Sequence, residues 1–147
     1  MASYLELDVD SVARIGLIFL DGDSLEDILL DKYGHTDYDF DKFNACKKAI
    51  MKIERLNPSL EITAILWQRR PDSASMAVPV VAGRALPLEG HAPSPVSPAL
   101  EAAFSGRAAS AERESGGTSH YYPVKNIDAE IVGALELLRG NSRAVDV

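Results

Sequence analysis

Asp37, Asp39 and Asp41 alternate along the chain as the oxygen ligands of a calcium loop would. Such a loop also needs glycine at its sixth position and a bidentate glutamate at its twelfth. Counted from Asp37 those positions are Lys42 and Lys48, and counted from Asp21 the twelfth is Lys32. Helix capping and a solvated acidic face account for these acids better. The histidines His35, His91 and His120 stand too far apart for a zinc spacing. Cys46 is the one cysteine, which forbids an intrachain disulfide and a thiolate cluster. It falls on an apolar helical stripe, where a thiol acts as a small hydrophobe. The glycine-rich phosphate loops and the G-x-S-x-G elbow are missing from the sequence. No catalytic set, metal site or cofactor is expected.

Two strand-like stretches carry more promising chemistry. Trp67, Gln68, Arg69 and Arg70 finish one of them. His120 and Tyr122 share a face of the other, with Tyr121 on the opposite face. Amphipathic rings and a few fixed polar groups on a sheet are what a small-molecule pocket requires. Trp67, Arg69, His120 and Tyr122 are therefore the candidate ligand-binding residues, the rings enclosing a ligand and Arg69 pairing with a carboxylate. The competing account makes Trp67 and one tyrosine core, with His120 satisfying a backbone carbonyl.

The elements that must position these residues follow from periodicity. The chain has 147 residues, 46% of them apolar and 25% charged, enough to bury the core of one domain. Its net charge of −7 has the wrong sign for a nucleic-acid backbone, so no nucleic acid is expected as a partner. No apolar stretch approaches the roughly 20 residues of a membrane helix, and no signal peptide is visible at the start. Residues 8–57 form the helical part. Val9, Val12, Ile15 and Phe19 mark a first helix closing at Asp21-Gly22. Asp23, with Glu26 as its reciprocal partner, caps a second helix with an apolar face of Leu25, Ile28 and Leu29, stopped by Gly34. Asp39 caps a third, on which Phe40, Phe43, Cys46, Ile50, Ile53 and Leu56 form a stripe ended by Asn57-Pro58.

Residues 60–138 form the sheet part. Ile62 to Trp67 is apolar on both parities, as a strand buried on both faces must be. Met76 to Gly83 is a second strand, its Pro79 fitting an edge or a bulge. A proline-rich loop, 85–98, crosses the surface before Ser97-Pro98 opens a short helix closed by Gly106. Strands over 107–112, 119–125 and 130–138 complete the order, the last two joined at Asn126 to Ala129. Helices segregated from an antiparallel sheet make an α+β domain.

These pieces resemble the PAS-like sensor domains called Cache or PDC, found in bacterial chemoreceptors, sensor kinases and diguanylate cyclases. The resemblance runs from about Val9 to Leu138. It rests on Phe19-Leu20-Asp21-Gly22-Asp23-Ser24-Leu25, on Ile53 to Ala64 through Asn57-Pro58, and on Pro98 to Arg107. Its most specific piece is the closing hairpin, Tyr121 to Asn126 followed by Glu130 to Leu137. The hairpin also resembles that of GAF domains. Asp128-Ala129 stands where the family carries Asp-Gly, so the turn must differ or be strained at Ala129.

The resemblance implies a five-stranded antiparallel sheet with N-terminal helices packed on one face. It also implies a non-enzymatic sensory input domain that binds a small molecule, such as a carboxylate or amino acid, on the sheet and passes strain to a terminal helix. The proline-rich segment would be its lid. A homodimer would form through the first helix, with Val12, Ile15 and Phe19 supplying the surface. Family members sit between membrane helices outside the cytoplasm, so the chain is expected to be either an excised sensor domain or a stand-alone soluble relative. The alternative is a dimerisation or protein-interaction module with a filled, dry core.

Overall fold

The computed structural model describes residues 8–30, 36 and 37, 40–83, 94–113 and 116–139. Helix α1 (Val9–Phe19) starts where Asp8 accepts the backbone N–H of Ser11 at 2.8 Å. Helix α2 (Gly22–Glu26) is capped by Asp21, not by the expected Asp23: Asp21 accepts from the Asp23 N–H at 3.0 Å and the Ser24 hydroxyl at 2.9 Å. The helix starts early because Gly22 lies against the Lys125 carbonyl, which a Cβ would meet at 1.9 Å. Asp23 and Glu26 turn instead to the closing hairpin, accepting from Ile127 N–H at 3.1 Å and the Asn126 amide at 3.2 Å. Helix α2 also ends sooner than its apolar residues suggest. Leu29–Leu30 (β1) pairs antiparallel with Thr36–Asp37 (β2). Gly34 and Asp39, expected to stop one helix and cap the next, lie outside the described residues, as do His35, His91 and residues 84–93 of the proline-rich loop.

Helix α3 (Phe40–Arg55) buries Cys46, Ala49, Ile50 and Ile53, as the stripe predicts. A 3-10 turn, Pro58–Leu60, is capped by Asn57 and leads into β3 (Thr63–Arg70) and β4 (Ser73–Ala82). There follow β5 (Ser94–Pro95), α4 (Pro98–Phe104), β6 (Ala109–Glu112), β7 (Thr118–Lys125) and β8 (Ile131–Arg139). The α+β class holds. The sheet is antiparallel but has six strands, in the order β5-β4-β3-β8-β7-β6, where five were expected. The sixth comes from the end of the proline-rich segment, where Ser94 and Pro95 pair with Ala77 and Met76. Pro95 is tolerated because this is an edge. Pro79 falls where the β3–β4 register slips, at the bulge between Leu66 and Trp67.

Strand residues alternate between two covers. Ala64 and Leu66 of β3, Leu135 and Leu137 of β8, and Tyr122 and Val124 of β7 join Val12, Leu25, Ile50 and Ile53 from α1–α3 in one large core. The opposite parity meets α4 in a smaller cluster: Ala77, Ala134, Leu100 and Ala103, flanked by Trp67, Phe104 and Tyr121. The N-terminal helices thus cover one face and α4 the other. Val12 is fully buried, so it belongs to the core and not to a dimer surface.

The closing turn works without the Asp-Gly step. The Asn126 side chain accepts from the N–H groups of Asp128 (2.9 Å) and Glu130 (3.0 Å), and Ala129 takes the left-handed conformation at φ 65°. That conformation costs an L-residue with a Cβ free energy that glycine escapes. Ala129→Gly should therefore stabilise the fold by about 0.5–1 kcal/mol, net of glycine's greater freedom in the unfolded chain. Urea unfolding reads this as a higher midpoint, and an unchanged or lower midpoint would refute it.

Candidate functional site

Strand parity divides the four candidate residues. Trp67 and Arg69 lie on the α4-facing side of β3, whereas His120 and Tyr122 lie on the α1-facing side of β7. The ladder fixes this: Trp67 pairs with Ala134, while Tyr122 pairs with Leu135 and His120 with Leu137. No single pocket can hold all four. Tyr122 packs in the main core and donates its hydroxyl to Asp10 at 2.7 Å; burial, then Asp10, hold its pKa far above the ordinary phenol range. With His120, Ser110, Asp8, Asp10 and Arg139 it lines a cleft of about 490 Å³ at the start of α1. The His120 pKa is lowered, first by burial and also by Arg139, against an opposing pull from Asp10.

On the other face, polar groups converge beneath α4. Glu136 is only 2% exposed, yet it is a carboxylate in a strand whose other residues up to Leu138 are apolar. Its Oε1 accepts the Trp67 indole N–H at 2.9 Å and its Oε2 accepts the Ser119 hydroxyl at 2.6 Å. The Arg113 guanidinium stands 3.6 Å from Oε2. Two hydrogen bonds and a cation answer the desolvation of the charge. Tyr121, on the same face, has its pKa pushed up to about 12 by burial and by the nearby Glu136 charge.

Arg69, two residues beyond Trp67, is bound by a fork. Its two terminal nitrogens donate to the two Glu101 carboxylate oxygens of α4 at 2.9 and 2.6 Å. One of them also donates to the Ala74 carbonyl at 2.7 Å, and the guanidinium lies 4.6 Å from the centre of the Phe104 ring. Arg69 holds the Glu101 carboxyl below its ordinary pKa.

Beside this fork the two central strands part. The β3–β8 ladder runs from Thr63–Leu138 to Trp67–Ala134 and stops there, while Gln68 and Arg69 go on pairing with β4 alone. A cavity of about 310 Å³ occupies the parting, lined by Gln68, Arg69, Glu26, Ile28, Phe104, Ile131 and Gly133 among others. The Gln68 amide donates to the Leu25 carbonyl at 3.0 Å, which ties this wall to α2. Gly133 keeps the strands close at the apex: a Cβ there would meet the Trp67 carbonyl at 2.7 Å.

This arrangement suits binding. A guanidinium, the Phe104 ring and an apolar floor of Ile28 and Ile131 can hold a small carboxylate seated on the Arg69 side, away from the Glu26 acid in the same wall. Among the described residues no group of three or more His, Cys, Asp and Glu is placed to hold a metal ion. Burial raises the Cys46 thiol to about 11, so it stays protonated and inert. Residue type and spacing did not mark Glu101, Glu136, Phe104 or Tyr121. A lone acid in Ile131 to Leu138 was the one available signal, since a charge inside a buried strand demands partners.

Comparisons of the chain with protein families, with curated proteins and with solved structures find no match.

Two outcomes follow. Glu136→Gln replaces an acceptor oxygen with an NH₂ group that faces a donor, and should cost about 1–3 kcal/mol in urea unfolding. A cost near zero would mean the Trp67 and Ser119 bonds carry no net stability. Separately, His120 favours its neutral form in the fold. The stability this confers is present above the ordinary value of 6.5 and is lost as pH falls through the lowered one. His120→Gln should remove that fall, read as a wild-type urea midpoint that drops more steeply than the variant's below about pH 6.5. Parallel curves would refute it.

Proposed function

We propose that the chain is a small-molecule-binding sensory input domain of the PAS-like Cache or PDC kind, without catalytic activity. The observation that carries this reading is the placement of Arg69. It lies on the same face of β3 as Trp67, stacks near Phe104, and borders the cavity where β3 and β8 separate. The closing hairpin, the most specific piece of the resemblance, supports it by putting β8 beside β3 at the centre of the sheet. N-terminal helices on one face and a short helix on the other give such a domain a firm side and a thin side. A ligand can signal from the thin side by binding two positions of α4 with different affinity.

The ligand site is therefore Arg69 with Phe104 and Gln68, and Trp67 stands beside them on the same face of β3. His120 and Tyr122 belong to the separate cleft at the start of α1. The ligand class is a small carboxylate, because the guanidinium offers two parallel donors that match its oxygens.

A second reading, a protein-interaction module, is favoured by one observation. Ile18 and Phe19 at the end of α1 are 80% and 44% exposed, and Met51 of α3 is exposed too. These residues, and not Val12, would form a homodimer surface.

A thermal-shift screen of amino acids and organic acids tests the first reading. At least one carboxylate should raise the midpoint, and Arg69→Ala should abolish that rise while leaving the unliganded midpoint within a few degrees. A rise that persists in Arg69→Ala, or a screen that finds nothing, would defeat the assignment. Sedimentation velocity tests the second: a dimer that Ile18→Glu dissociates would support an interaction module.

A further inference from the structure

Arg69 meets a carboxylate already, and that carboxylate belongs to the chain itself. Glu101 sits in the bidentate position that a bound acid would need, with both oxygens matched to both terminal guanidinium nitrogens. The pair is partly open to solvent on both sides, at 30% and 50% side-chain exposure. An ion pair in that setting contributes little net stability, so another carboxylate can exchange with it cheaply. Arg69 also keeps one contact that does not depend on α4, the Ala74 carbonyl of β4, so the guanidinium stays aimed when Glu101 leaves.

Helix α4 is lightly held. It has seven residues, and the buried side chains it offers the sheet are Ala99, Leu100 and Ala103. The small cluster they join includes Ala77 and Ala134, short side chains with little area to bury. Trp67, Tyr121 and Phe104 pack at the edge of that cluster, and the fork from Arg69 adds a polar tie between the middle of α4 and β3. Phe104, at the end of the same helix, also walls the cavity between β3 and β8.

We infer that Glu101 is a built-in competitor at the Arg69 site: a short-chain carboxylate seated in the β3–β8 cavity takes over the guanidinium and releases α4 from the sheet. This inference rests on the proposed sensory function. It adds the residue displaced and the means by which α4 is set free. Exchange makes or breaks no covalent bond and leaves the charge on the guanidinium balanced throughout.

The test uses isobutyrate, with isobutyramide as its uncharged counterpart of the same shape. Trp67 is the chain's one tryptophan and stands two residues from Arg69 on the same face, so its emission reports the site. Glu101→Gln is at the surface and should fold, as circular dichroism will show. Removing the competitor should tighten isobutyrate about two- to fivefold, the range expected of an exposed pair. Isobutyramide should bind neither protein, and Arg69→Gln should lose isobutyrate. Hydrogen exchange at residues 99–104 should quicken when isobutyrate binds the wild type and be fast from the outset in Glu101→Gln.

Equal isobutyrate affinity in wild type and Glu101→Gln would overturn the competitor and leave the sensory reading standing. So would isobutyrate binding with no change in α4 exchange. A neutral compound that binds where no carboxylate does would also overturn the inference alone. No response of either protein to any compound would overturn both.

Discussion

Strand β3 is the part of the fold that every other layer holds. At Ala64 its N–H donates to Glu54 of α3 at 2.9 Å. At Trp67 its indole reaches Glu136 of β8, at Gln68 its amide reaches the Leu25 carbonyl of α2, and at Arg69 its guanidinium reaches Glu101 of α4. Four of six consecutive residues thus tie the strand to both neighbouring layers and to the strand beside it. Because side chains alternate, Ala64 to Arg69 can serve two faces at once. That is possible only for a central strand. It explains why this stretch mixes apolar residues of both parities with a polar end: the apolar half is covered twice, and the polar half runs past the end of the β8 ladder into the cavity.

The two covers are unequal. The α1–α3 side fills with leucine, isoleucine and valine, whose burial supplies most of the driving force. The α4 side is built on alanines, and its specificity comes from polar contacts. Glu136 is the extreme case. A buried carboxylate loses its hydration and regains it through the Trp67 and Ser119 donors and the nearby Arg113 charge. Such a network adds little net stability but fixes how β3, β7 and β8 sit against one another, because removing one partner strands the rest. The thin side therefore carries its polar ties within the sheet and a smaller apolar contact above it, the arrangement that the proposed movement of α4 calls for.

How much of this was legible in the sequence depends on how local each feature is. The α3 stripe, the Asn57-Pro58 stop and the Ser97-Pro98 start are set by neighbours in the chain, and they appear as read. The strain at Ala129 was legible for the same reason, since a tight turn constrains its own residues. The α2 cap was misplaced because the deciding contact, Gly22 against the Lys125 carbonyl, spans the whole fold. The site split in two for a related reason. Parity within β3 and within β7 can each be read locally, but which parity of one shares a face with which of the other is decided by β8, through pairs such as Trp67–Ala134 and Tyr122–Leu135. No residue of β3 or β7 records that register.

Register also decides what can couple. Had Tyr122 shared a face with Trp67, a ligand between them would press on the large core, whose close packing resists displacement. Placed instead under α4, a ligand works against a short helix, a few alanine contacts and one exposed ion pair. Coupling between a site and a moving element is bounded by how differently the ligand binds the two positions of that element. An exposed ion pair supplies only a few-fold difference. Typical coupling is about 5- to 150-fold, so exchange at Arg69 by itself loosens α4 only toward the lower end of that range. The remainder must come from Phe104, which belongs to α4 and yet walls the cavity: a ligand's apolar body either keeps that ring or replaces it. On the proposed sensory reading, charge selects the ligand and the ring turns its presence into movement.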